Sequence, residues 1–211
     1  MTIAVRFIDE CRAAHAEHAE EIRARLDEFR AVPPTRHFYE LCYCLMTPQS
    51  SALQCAAVAA ELEHRHFRDV AFDPAPLLRS WRNGYVRFHN TKARRLLALR
   101  ARFEEVAAMM ASDMEDKLLR NTLARTVDGL GMKEASHFLR NVGRTRVAIV
   151  DRHIIRNLIR SGVLDGEPAG ISVRRYLDIE RRFEDLADAM DIPADELDLL
   201  LWRRETGFVL K

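Results

Sequence analysis

Apolar residues recur at spacings of three and four along most of the chain, as at Ile8, Cys11, Ile22, Leu26 and Phe29 near the start. Val173, Tyr176, Leu177, Phe183, Leu186, Ala187 and Met190 repeat the pattern towards the end. That spacing gathers side chains on one side of an α-helix. Breaks fall at Pro33-Pro34, Pro48, Asp73 to Pro76, Asn83-Gly84, Gly129 to Gly131, Gly143, Gly162 to Gly170, and Pro193. Proline and glycine stop helices for steric and entropic reasons, so about ten helical segments are predicted between these marks. Only Val147 to Val150 has the look of a strand, and it is too short to build a sheet. The pattern predicts an all-α protein. No repeat of solenoid length is present, so the helices should wrap a shared core.

Length and composition narrow this picture. The 211 residues, against about 150 per domain, allow one large domain or two halves sharing a core. With 48% apolar and 31% charged residues, the chain is not collagen-like, low-complexity or wholly disordered. No apolar run approaches the roughly 18 residues that span a bilayer. Asp9 and Glu10 interrupt the place where a signal peptide keeps its apolar stretch, so a cytoplasmic protein is expected. Cys11, Cys42, Cys44 and Cys55 have neither zinc-like nor iron–sulfur spacing, and reduced, unmetallated thiols are expected.

The net charge of +1 says little, but its distribution says more. No acid lies between Asp73 and Glu104, a stretch that holds Arg79, Arg82, Arg87, Lys92, Arg94, Arg95, Arg100 and Arg102. Between Glu134 and Asp165 the lone acid is Asp151, among Arg140, Arg144, Arg146, Arg152, Arg156 and Arg160. The balancing acids cluster from Asp178 to Asp198. This segregation suits a one-sided basic surface for a polyanion, although solvated helix faces would also produce it.

The informative segment is Leu118 to Leu158. A helix ending near Val127 meets Gly129-Leu130-Gly131, and a second helix follows with Ala135, Phe138, Leu139 and Val142 on its apolar side. Two glycines let the backbone turn sharply and expose N–H groups where the helix dipole favours an anion such as a phosphate. The same glycines would also serve a plain helix–helix turn. Lys133, in the first turn of the second helix, stands against that dipole, which should ease loss of its proton, as a nucleophilic lysine requires. A solvated surface lysine is the competing reading. Asp151 closes Val147 to Val150 and opens the helical pattern Ile154, Ile155, Leu158 and Ile159, the place of an N-cap. As the only carboxylate of a basic stretch it could also stabilise a cationic sugar.

Gly129-Leu130-Gly131-Met132-Lys133, followed eighteen residues after the lysine by Asp151 in Val150-Asp151-Arg152-His153, resembles the helix-hairpin-helix Gly/Pro-Asp signature of the endonuclease III superfamily of DNA glycosylases. The string Gly131 to Asn141 is similar to one branch, the archaeal-type (second subfamily) 8-oxoguanine DNA N-glycosylase/AP lyases. So are Leu45 to Ala52, Val86 to Ala93 and Trp202 to Lys211. The resemblance runs from about Phe38 to the last residue, and Val127-Asp128-Gly129 replaces the superfamily's commoner Leu-Pro-Gly. It implies two interleaved helical subdomains in a single unit over 1–211, with a DNA-binding cleft and a helix-hairpin-helix at about 115–143. It implies that Lys133 attacks the sugar of a flipped 8-oxoguanine nucleotide and forms a Schiff base, with strand nicking by β-elimination. Asp151 would stabilise the developing positive charge. Gln49 would fill the gap left by the flipped nucleotide, and Gly129 and Gly131 would hold the DNA backbone. Trp202, Lys211 and Phe88 would bind the base. No cofactor or metal is implied in the chemistry, though superfamily analogy allows a monovalent cation on the hairpin carbonyls. The partner implied is duplex DNA containing 8-oxoguanine, met by a monomer. Two other readings fit the same residues: this fold acting on oxidised pyrimidines or abasic sites, and a non-catalytic helix-hairpin-helix DNA-binding module.

Overall fold

In the computed structural model, which describes residues 4–80 and 84–207, ten α-helices and one 3-10 turn account for the regular structure. The helices are α1 (Val5–Arg30), α2 (His37–Met46), α3 (Ala52–His64), α4 (Ala75–Ser80), α5 (His89–Met110), α6 (Asp116–Thr126), α7 (Met132–Asn141), α8 (Arg152–Arg160), α9 (Val173–Met190) and α10 (Ala194–Thr206). No strand occurs among the described residues, as the helical period predicts. No helix among them is long and apolar enough to cross a membrane.

The chain divides into two units. One joins the residues up to Ala31 with those from Leu139 onward, and the other is Val32–Phe138. In the first, α1 packs on α9 and α10, and α8 packs on the same two helices. Phe7, Cys11, Ile22, Leu26 and Phe29 form the buried side of α1. In α9 the buried side is Tyr176, Ile179, Glu180, Phe183, Leu186, Ala187 and Met190, whereas Val173 and Leu177 face solvent. Glu180, four residues after Tyr176, takes the inward place that hydrophobicity alone would give to Leu177.

In the second unit α2 touches α3 and α5, α4 lies on α5, and α5 meets α6. Phe38 to Met46 are all buried, Glu40 among them, so α2 is covered on every side and occupies the centre. All four cysteines are buried free thiols, and burial pushes Cys55 up to about 11.

Candidate active site

In the second unit α6 starts on Glu115, whose carboxylate accepts the Leu118 N–H at 3.1 Å, and it ends where Val127 turns extended. The Leu130 N–H donates to the Val127 carbonyl at 3.1 Å and closes the hairpin. Gly129 has φ +81°, and a Cβ there would lie 2.3 to 2.5 Å from the Arg95 side chain. The left-handed backbone demands glycine, and a side chain there would also have to displace the Arg95 guanidinium. Gly131 accepts the Ala135 N–H at 2.9 Å and so stands at the N-cap of α7. Glu134, three residues on, folds back towards Gly131 as in a capping box. Lys133 is the second residue of α7, about one-third exposed, with its Nζ 3.6 Å from Glu134 Oε1.

The body of α7 is anchored by polar and aromatic contacts. The fully buried Arg120 of α6 donates to Ser136 Oγ at 3.3 Å. The His137 ring meets Tyr43 of α2 edge to face at 5.5 Å. The hairpin offers neutral oxygens, those of Val127 and Gly131, while Asp128 lies 3.7 Å from Arg95. Such a donor set fits a monovalent cation better than a divalent one, which favours carboxylates.

Gln49 and Phe88 belong to the same unit and share an uncommon feature. Both are exposed, and both have left-handed backbone, with φ +57° and +58°. Gln49 sits in the turn before α3, and Phe88 is the N-cap of α5 and is 57% exposed.

In the first unit, Val147 to Val150 is a buried irregular segment with no strand partner among the described residues. Side chains of α9 satisfy it instead. Glu180 Oε1 accepts the Ala148 N–H at 3.0 Å, and the Tyr176 hydroxyl accepts from the Val150 N–H at 3.2 Å. This segment delivers Asp151 to the start of α8, where its Oδ1 accepts the N–H groups of His153 at 2.8 Å and Ile154 at 2.9 Å. No donor among the described residues reaches Oδ2. One oxygen is therefore used by the cap, and the other is left without a donor among the described residues.

The His153 ring meets Trp202 of α10 edge to face at 4.8 Å, and the buried Trp202 indole N–H has no partner among the described residues. Behind His153, Glu205 pairs with Arg156 and Arg160. Burial raises the Glu205 carboxyl, but these two guanidiniums outweigh it and leave it below its ordinary value.

Of the residues singled out by sequence, Gln49, Phe88, Gly129, Gly131 and Lys133 lie in the second unit, and Asp151 and Trp202 in the first. Lys211 and Arg82 lie outside the described residues. The expected one-sided basic surface needs correction, because acids distant in sequence fold back onto it. Arg140 pairs with Asp198 at 3.1 Å, and Glu205 takes Arg156 and Arg160. Arg100 donates to the Phe67 and Asp69 carbonyls, each at 2.8 Å. Arg79, Arg87 and Arg94 are exposed and pair with no acid among the described residues. Glu134, Tyr176 and Glu180 were not singled out as site residues from sequence. The first carried a signal, as a glutamate at the third position after an N-cap; the others needed the tertiary structure.

A family model described as 8-oxoguanine DNA glycosylase matches residues 22–192. The chain is 33% identical over 216 residues to a Fusobacterium nucleatum protein named 8-oxoguanine DNA glycosylase/AP lyase, covering 97% of this chain and 98% of the relative. A Methanocaldococcus jannaschii protein of the same name is 34% identical over 200 residues, covering 93% and 95%. The fold matches the crystal structure of the Methanocaldococcus jannaschii 8-oxoguanine glycosylase/lyase in complex with a 15mer DNA containing 8-oxoguanine, with TM-score 0.86, 31% identity, and coverage of 98% and 100%. It matches the Thermotoga maritima 8-oxoguanine DNA glycosylase with TM-score 0.85 and 27% identity, covering 98% and 99%.

Proposed function

The chain belongs to the 8-oxoguanine DNA glycosylase family, and we propose that it removes 8-oxoguanine from duplex DNA through a Schiff base on Lys133 and then nicks the strand. The Nζ lone pair attacks C1′ of the flipped nucleotide while the C1′–N9 bond breaks, and the base leaves with that electron pair and is protonated. Loss of a proton from Nζ and opening of the sugar give the protonated imine. Removal of a C2′ proton then expels the 3′ phosphate by β-elimination, which nicks the strand. Asp151 offers its uncapped oxygen to the positive charge that develops on the sugar.

The observation that carries this reading is Lys133 at the second position of α7, directly behind the Gly129 to Gly131 turn. Met132 and Lys133 are first-turn residues, whose N–H groups have no partner within the helix and suit a phosphate. Phe88 and Trp202 offer aromatic surface to the purine, and Lys211 at the chain's last position would close over it. Gln49 would occupy the gap in the duplex. A cation on the hairpin carbonyls would steady the same turn. The partner is duplex DNA containing 8-oxoguanine, met by a monomer in the cytoplasm, on the nucleoid.

The test is borohydride trapping on a duplex carrying one 8-oxoguanine opposite cytosine, beside undamaged and abasic duplexes and beside Lys133→Gln. A covalent adduct on the lesion duplex that vanishes in the variant is expected. An adduct with the abasic duplex alone would reassign the substrate, and no adduct at all would leave a DNA-binding module.

A further inference from the structure

Lys92 lies in the arginine-rich stretch that sequence suggests for phosphate contacts, yet it is only 2% exposed. Its ammonium donates to the Met46 carbonyl at 2.6 Å, the Pro48 carbonyl at 2.7 Å and Ser50 Oγ at 3.0 Å. All three protons are used, and by neutral acceptors. Burial pushes the group below its ordinary value. A buried charge without a hydrogen-bonded carboxylate is a costly way to fill a core, and packing alone would favour an apolar side chain.

What the ammonium holds gives the reason. Pro48 and Ser50 flank Gln49, so Lys92 bonds the turn on both sides of that residue. Ser50 Oγ also accepts the N–H of Arg87 at 3.0 Å, the residue before Phe88. Lys92 itself sits in the first turn of α5, with its own N–H on the Phe88 carbonyl at 2.9 Å. One ammonium thus connects Gln49 and Phe88, two of the four non-glycine residues with left-handed backbone among the described residues, at φ +57° and +58°. For a glutamine and a phenylalanine, that backbone persists only where the surroundings hold it.

We propose that Lys92 is a positioning residue for lesion recognition: it fastens the Pro48 to Ser50 turn to the first turn of α5 and so fixes Gln49 and Phe88 relative to each other. The proposal rests on the reading above that Gln49 enters the duplex gap and Phe88 meets the flipped base. Gap filling and base capture are one event, so the two side chains must keep a set spacing, and a freely moving loop would not supply it. Lys92 is then neither a phosphate contact nor a second nucleophile.

The experiment compares wild type with Lys92→Met in two arms. The first is hydrogen exchange of the DNA-free protein, where the Arg87 amide should exchange roughly tenfold faster in the variant while α9 amides are unchanged. The second is single-turnover release of 8-oxoguanine, which should fall by roughly tenfold to a hundredfold. Gln49→Ala and Phe88→Ala should each cost much less in the Lys92→Met background than alone, a non-additivity that general destabilisation would not produce. Unchanged exchange at Arg87 would overturn the proposal, and so would faster exchange with wild-type release or strictly additive losses. If Lys92→Met does not fold, Ser50→Ala removes only the shared oxygen, and the same outcomes decide. Failure of the proposed function would look different: the wild-type protein itself would not release 8-oxoguanine, whatever the exchange at Arg87.

Discussion

The Tyr176 hydroxyl donates to the Ala148 carbonyl at 2.7 Å and accepts the Val150 N–H at 3.2 Å, so one side chain bonds two backbone groups of the segment that leads into Asp151. Tyr176→Phe keeps the ring and strands two buried backbone groups. The expected loss is about 1–3 kcal/mol, a fall in Tm of several degrees for a chain of this size. Slower 8-oxoguanine release should accompany it, because Asp151 loses the rigidity of its approach. Thermal unfolding beside single-turnover assays checks both effects.

One substitution separates the cap that Asp151 makes from the charge stabilisation proposed for it. Asparagine caps a helix about as well as aspartate, so Asp151→Asn should leave α8 intact and Tm nearly unchanged. It removes the negative charge, and base release should slow about a hundredfold or more. A well-folded variant with near wild-type release would mean that Asp151 is a cap and nothing else.

The parts of the site legible in sequence are those built by neighbours. Gly129, Gly131 and Lys133 define a hairpin and the helix behind it within five consecutive positions, and Asp151 sits at a boundary between an apolar run and a helical pattern. Local geometry fixes such features, so spacing reveals them. The supports of Asp151 were hidden, because Tyr176 and Glu180 meet Ala148 and Val150 from 26 to 32 residues away. Charge misled for the same reason: Arg140 and Asp198 are 58 residues apart in sequence and 3.1 Å apart in the fold. Lys92 reads as one basic residue among many until its burial is seen. The all-α fold was legible because its period recurs along most of the chain, although Val173 and Leu177 show that the stripe does not give the inward side residue by residue.

Gly129→Ala meets two obstacles at once. The left-handed backbone at φ +81° strains any side chain, and the new methyl would overlap Arg95. The expected cost is about 1–3 kcal/mol, with weaker duplex binding because the turn presents the α7 amides. Adding Arg95→Ala removes the overlap but not the backbone strain, so the double variant should recover only part of the loss. Full recovery in thermal unfolding would show that the backbone at Gly129 carries no strain of its own.

The arginines divide into those that can serve phosphate and those that serve the fold. Arg94 is exposed and pairs with no acid among the described residues, whereas Arg100 holds the Phe67 and Asp69 carbonyls. Arg94→Gln should reduce the slope of log K against log salt for duplex binding by about 0.9, the share of one phosphate contact. Arg100→Gln should leave that slope unchanged and lower stability instead. Binding titrations at several salt concentrations separate the two. A slope unchanged by Arg94→Gln would remove it from the interface.

Asp198 gives stability a pH dependence that can be signed. Burial pushes its carboxyl up to about 7, against the attraction of Arg140 and with repulsion from Asp151 and Asp195. The unfolded chain returns it to about 3.9, so the folded state binds this proton more tightly. The associated stability is fully present below about pH 4 and is lost as pH rises towards about 7. Asp198→Asn resembles the protonated carboxyl at every pH. Its Tm relative to wild type should therefore climb from about pH 4 to about pH 7 and then level off. A difference that stays flat would mean that Arg140 keeps Asp198 ionised throughout. Because the repulsion between Asp151 and Asp198 is mutual, Asp151→Asn should bring the levelling-off to lower pH, a shift that appears only if the two carboxylates sense each other.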